Sequence, residues 1–125
     1  MFADIMDERT VCAMKKLEIV IKPERLEELK AILTSCAING MMVSSIMGFG
    51  NQKGYTKSYR GTTFTVNLLP KIKVETVVDD ETAEIIVKLV TTKMATGDVG
   101  DGKIFVYDVV DAIRVRTAER GEKAL

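Results

Sequence analysis

Along the chain, apolar and polar positions fall into two copies of one arrangement. From Lys16 to Lys22 they alternate, with Leu17, Ile19 and Ile21 against Glu18, Val20 and Lys22, the period of a strand with one buried face. Pro23 stops that run and opens PERLEELKAILTS, where Leu26, Leu29, Ile32 and Leu33 recur three and four apart. That spacing predicts an amphipathic helix, closed by a turn at Asn39 and Gly40. MMVSSIMG, residues 41–48, reads as a second strand. After a glycine-rich stretch, FTVNLLPKIKVETVV resumes strand character with a break expected at Pro70. VDDETAEIIVKLVTTKMATG predicts a second helix, with Asp79 or Asp80 as N-cap, Ala83, Ile86, Val87 and Val90 on one face, and Gly97 as its end. KIFVYDV is a last alternating strand.

The order is strand, helix, strand, long loop, strand, helix, strand, so two βαβ halves are expected to join as an α+β, ferredoxin-like βαββαβ sandwich. Both helices would cover one sheet face. The other, carrying Glu18, Val20 and Lys22, mixes polar and apolar side chains in a way that fits contact with a neighbouring subunit. The stretch GFGNQKGYTKSYRGT shows no apolar face at either period and is expected to stand away from the core as an irregular loop. It carries Lys53, Lys57 and Arg60 with no acid between Gly48 and Thr63, so it reads as a basic arm or, more blandly, as a spacer.

At 125 residues the chain fits one domain, with residues 1–13 as an unpatterned, flexible extension and 14–125 as the folded unit. Lys and Arg together number 18, as do Asp and Glu, which argues against a dedicated nucleic-acid binder and makes any anion site local. Histidine is absent, which removes His-based triads and His zinc sites. Cys12 and Cys36 are expected to be reduced thiols. With no span of about 18 apolar residues and an acidic start, MFADIMDERT, no membrane insertion is expected and the chain reads as cytoplasmic.

The sharpest local signal is TGDVGDGKIFV, residues 96–106. Gly100 and Gly102 permit backbone angles that present N–H groups to an anion, and Lys103 adds charge, so the segment could cradle phosphates or simply turn the chain. It is not a P-loop, because Ile104 stands where a Ser or Thr would hold magnesium and the loop runs from helix to strand. Arg114 and Arg116, read as an extended segment, would point the same way and clamp a polyphosphate, or else pair with Asp108, Asp111 or Glu119. Lys71, at the foot of the loop, is a phosphate ligand or a surface charge.

MKKLEIVIKPERLEELK, GFGNQKG, YRG, LPK, TGDVGDGKIFV and RVRT, in that order from Met14 to Thr117, resemble the P-II nitrogen-signalling family. The resemblance implies a homotrimer with a long mobile T-loop and three inter-subunit clefts that bind ATP or ADP competitively, with 2-oxoglutarate beside Mg-ATP. It implies a signal transducer, not an enzyme, acting on nitrogen-metabolism proteins such as an ammonium transporter. Carried over residue by residue, Gly100, Asp101, Gly102 and Lys103 would hold phosphates, with Arg114 and Arg116 reaching from the adjacent subunit. Lys71 would meet phosphates and the oxo-acid, and Gln52 would ligate magnesium. Gly48 and Gly50 would enclose the nucleotide, while Val20, Met42 and Val77 would line the adenine pocket. Lys53, Tyr55, Lys57, Tyr59 and Arg60 would form the partner-binding T-loop. This chain departs from the family pattern in three places. Its YRGTTF has Phe64 where the family's uridylylated tyrosine stands, so that modification has no hydroxyl to use, and Thr62 matches a serine that some members phosphorylate. Met42 replaces a frequent threonine, and Lys57 a frequent acid. Two other readings use the same residues: a slow ATP-hydrolysing enzyme and a ligand-free structural oligomer.

Overall fold

A computed structural model describes residues 13–49 and 68–125, together with the backbone of 55–59 and 62–66. Strand β1 (Met14–Ile21) leads through a 3-10 turn at Pro23–Arg25 into helix α1 (Leu26–Ser35). Strand β2 (Met42–Gly48) follows, then β3 (Tyr55–Tyr59), β4 (Thr62–Val66) and the long β5 (Leu69–Asp79). Helix α2 (Asp80–Lys93), strand β6 (Lys103–Asp108) and a 3-10 turn at Gly121–Ala124 complete the described elements.

The main sheet is antiparallel in the order β2-β5-β1-β6. With the inserted hairpin set aside, this is the expected ferredoxin-like βαββαβ arrangement. Alternation decides its faces. Leu17, Ile19 and Ile21 of β1 and Val74 and Val78 of β5 are buried with Leu29, Ile32 and Leu33 of α1 and Ala83, Ile86 and Val90 of α2. Both helices therefore cover one face, and each fully buried Leu or Ile stabilises the fold by about 1.5–3 kcal/mol. The buried Thr76 hydroxyl is satisfied by donating to the Gly40 carbonyl at 2.7 Å. Of the two N-cap candidates, Asp79 holds the position, and its carboxylate accepts the Thr82 N–H at 2.7 Å.

The face away from the helices carries Lys16 and Glu18 on β1, Lys73 and Glu75 on β5, and Tyr107 on β6. Lys73 lies 3.7 Å from Glu18 and 3.5 Å from Glu75, and Lys16 lies 3.4 Å from Glu75. The Tyr107 hydroxyl donates to Glu18 at 2.9 Å, which raises its pKa above the ordinary phenol value, and Lys16 sits over its ring. The Lys16 ammonium holds the Glu75 carboxyl below its usual range.

Three expectations are corrected. The stretch expected to be an irregular loop contains strand β3, which pairs from Tyr55↔Val66 to Tyr59↔Thr62 with β4, whose Phe64–Val66 part was expected to be extended. Its Thr- and Tyr-rich composition favours extended backbone even without an apolar alternation, and only Arg60 and Gly61 separate the strands. Pro70 does not break its strand, because it lies within β5 opposite Met47. β1 ends at Ile21, opposite Ile72, so Pro70 has a neighbour on one side only, the edge setting that tolerates a missing N–H. α2 ends at Lys93, with Met94 as C-cap, ahead of Gly97. Residues 1–12 of the extension lie outside the described residues, and Cys36 is a free thiol.

Candidate functional site

On the open sheet face, where β5 and β2 run past the end of β1, a cavity of about 280 Å³ is lined by Val20, Gly48, Lys71, Gly100, Gly102 and Lys103. Those six were expected at one site from the family resemblance, and four strands and a loop bring them together. Phe49, Leu69, Val99 and Phe105 complete the walls and were not anticipated. Phe105 was findable, since it shares the period-2 face of Lys103 on β6. No hydrogen bond or ion pair involves the exposed Lys103 ammonium among the described residues.

The loop 96–102 is braced by its own carboxylates. Asp101 accepts from the Thr96 hydroxyl at 2.5 Å, the Thr96 N–H at 2.6 Å and the Gly97 N–H at 3.0 Å, and Arg25 stands 3.8 Å away. Asp98 accepts the Gly100 N–H at 3.2 Å and pairs with Lys22 at 3.2 Å. The Asp101 carboxylate is therefore engaged within the loop, as is the Gly100 N–H, which was expected to be offered to an anion. Gly102 needs to be glycine: its φ is +110°, and an added Cβ would overlap the Val20 carbonyl oxygen. At Gly48 a Cβ would meet Lys71 Cγ at 3.1 Å.

Hydrogen bonds from Thr96 hold the Asp101 carboxyl below its usual range, and the Gly100 N–H with Lys22 does the same for Asp98. A depressed folded pKa adds stability that is present above the unfolded value of about 4 and lost as pH falls through the folded one. Amide exchange at Gly97 and Gly100 is therefore expected to stay slow at neutral pH and to lose its protection below about pH 4, with Asp101→Asn showing reduced protection already at neutrality. Protection independent of pH in both proteins would contradict the brace.

A second group of expected residues lies elsewhere in the protomer. Val77 lines a small cavity with Ile38, Glu122 and Leu125, and the Leu125 carbonyl accepts from Arg114 at 2.9 Å. Met42 pairs with Glu75, two positions from Val77 on β5. Val77 lies six positions along β5 from Lys71, roughly 20 Å of strand. The two arginines are not on an extended segment: Arg116 lies in a turn closed by the Ala118 N–H on the Arg114 carbonyl at 2.7 Å, with Ala118 at φ +62°. Of the anticipated acidic partners, Arg114 meets Glu119, at 3.4 Å. Gly50, Gln52, Lys53 and Arg60 lie outside the described residues, while Tyr55, Lys57 and Tyr59 are on β3 and Thr62 and Phe64 on β4.

Among known proteins, the family model for nitrogen regulatory protein P-II matches residues 14–119. The chain belongs to the P-II family. A P-II protein from Pasteurella multocida is 46% identical over 112 residues, 90% of this chain and 100% of the relative. P-II 1 from Methanothermobacter thermautotrophicus is 47% identical over 112 residues, 90% of this chain and 97% of its own. Among solved structures, B. subtilis GlnK matches with a TM-score of 0.72 at 36% identity, covering 90% of this chain and 98% of that one. A B. subtilis GlnK–ATP complex matches with a TM-score of 0.71 at 31% identity, covering 90% and 97%. These likenesses fit the ferredoxin-like P-II fold. No helix among the described residues is long and apolar enough to cross a membrane.

Proposed function

We propose that this P-II protein is a cytoplasmic homotrimeric signal transducer that binds ATP or ADP in clefts between subunits. The observation that carries this reading is the division of the candidate residues into two groups. Val20, Gly48, Lys71, Gly100, Gly102 and Lys103 surround one cavity, while Val77, Met42 and Arg114 lie toward the other end of β5. One nucleotide touching both groups would draw on two protomers, the first supplying Val20, the lysines and the glycine loop and the second Arg114, Arg116, Met42 and Val77. The GlnK–ATP complex, a relative of the same fold, supports an adenine nucleotide as the ligand. The mixed open face, with its paired charges, supports association through that surface.

Among the described residues no three of His, Cys, Asp and Glu converge on a metal position. As the family resemblance implies, magnesium would be held by the nucleotide's phosphates, the Gln52 amide oxygen and 2-oxoglutarate, with Lys71 neutralising the oxo-acid. Nucleotide-dependent arrangement of residues around the β3–β4 hairpin would expose Lys53, Tyr55, Lys57, Tyr59 and Arg60 differently to a target such as an ammonium transporter. The absence of a hydroxyl at Phe64 leaves ligand occupancy as the control at that position.

Titration calorimetry with ATP, ADP and 2-oxoglutarate, with and without magnesium, tests this directly. ATP and ADP are expected to compete for one site per chain, and 2-oxoglutarate to bind only with Mg-ATP. Gln52→Ala is expected to spare ADP and to weaken 2-oxoglutarate by roughly tenfold or more, the loss of a metal-bridging contact. Equal loss of both ligands would remove Gln52 from that role, and a monomer indifferent to adenylates would overturn the whole reading.

A further inference from the structure

The segment after Arg116 turns back on the chain and ends against Arg114. The Arg114 Nη2 donates to the Leu125 carbonyl at 2.9 Å, and Nη1 lies 3.4 Å from Glu119 Oε1. Glu119 is itself steadied by the Thr117 hydroxyl at 2.8 Å, while its carbonyl accepts the Arg114 N–H at 2.9 Å. Further back, Arg120 pairs with Asp111 at 2.9 Å, and the Gly121 N–H reaches the Ala112 carbonyl at 2.9 Å. Leu125 is half-buried beside Ile38 and Val77, so the far end of the segment is seated on the body. Arg116, by contrast, is exposed and makes no hydrogen bond or ion pair among the described residues.

We propose that Glu119–Leu125 is a clasp that positions the Arg114 guanidinium for a nucleotide phosphate. An ion pair as exposed as Arg114–Glu119 contributes little to stability, so its physical effect lies in orientation. A free arginine loses rotamer freedom when it binds a phosphate, and an arginine already fixed at both terminal nitrogens has lost that freedom on folding. The clasp engages one hydrogen on each terminal nitrogen and leaves the Nε–H and the remaining terminal hydrogens for the anion. Glu119 and the Leu125 carbonyl are thus positioning groups that act through Arg114. The inference rests on the nucleotide reading above.

The test is ATP affinity by calorimetry on the full-length protein, Glu119→Ala, Glu119→Gln and a chain lacking residues 123–125, each also in an Arg114→Ala background. Glu119→Ala and the truncation are expected to weaken ATP binding by roughly fivefold each, the cost of ordering one long side chain on binding. Glu119→Gln, which keeps an acceptor, is expected to stay within about twofold of wild type. Neither Glu119→Ala nor the truncation is expected to weaken binding further once Arg114 is alanine, a coupling that general destabilisation would not produce. Unchanged or tighter binding in both variants, or equal losses in the Arg114→Ala background, would overturn the clasp while leaving the nucleotide reading intact. Failure of the full-length protein to bind ATP would overturn both. Should Glu119→Ala not fold, Thr117→Val removes the donor that steadies Glu119: a loss of roughly twofold supports the clasp and none overturns it.

Discussion

Gly102→Ala is expected to unfold at least about 10 °C below the wild-type protein and to show no measurable ATP binding. Gly102 sits at φ +110°, a conformation that side-chain-bearing residues rarely adopt, and a Cβ there would overlap the Val20 carbonyl oxygen and lie 3.2 Å from its carbon. Both obstacles are backbone, so neither can swing aside. Strain of this kind, with displacement of the start of β6 from β1, costs about 3 kcal/mol or more, which sets the size of the melting shift. Gly97→Ala provides the contrast. Its φ is +88°, but nothing lies within 4 Å of the added Cβ, so the cost is conformational alone, about 1 kcal/mol. Thermal melts of the two variants side by side check the argument, and equal melting temperatures would defeat it.

Lys103→Ala is expected to leave the melting temperature within about 2 °C of wild type and to weaken ATP binding at least roughly tenfold. The Lys103 side chain is exposed at the rim of the cavity and has no partner among the described residues, so its removal costs the isolated fold little. In the occupied site its ammonium would face phosphate oxygens between the walls formed by Phe49, Leu69 and Phe105, where water competes poorly. Calorimetry in matched buffer separates the two effects. An unchanged dissociation constant would remove this cavity from the nucleotide site.

The elements of the main sheet and both helices were legible because burial enforces their periods. Leu17, Ile19 and Ile21 alternate, and Leu29, Ile32 and Leu33 recur at helical spacing, because each faces the same hydrocarbon layer. Strand β3 was not legible from periodicity, since YTKSY shows no apolar alternation, whereas its partner β4 was read in part through Phe64 and Val66. Pro70 misled because whether a proline ends a strand depends on whether the neighbouring strand reaches it, and β1 stops short. At the site, the family resemblance placed Gly102, Lys103 and Lys71 together, but not which N–H groups remain available. Asp98 and Asp101 engage several of them, a result of side-chain geometry that residue type does not specify. The turn at Arg114–Glu119 depends on Ala118 at positive φ, a conformation rare enough for alanine that the residue type gives no hint of it.

Lys71, Lys73 and Glu75 alternate along β5 with Ile72, Val74 and Thr76, and from Ile72 onward to Glu75 β5 is paired on both sides. A slip of one residue against β1 and β2 would turn all three charges into the layer beneath the helices and bring the oily residues out to solvent. The placement of the cationic wall thus inherits its accuracy from water's aversion to hydrocarbon: the cost of misregistering Val74 and Val78 is what keeps an ammonium group at the mouth of the crevice.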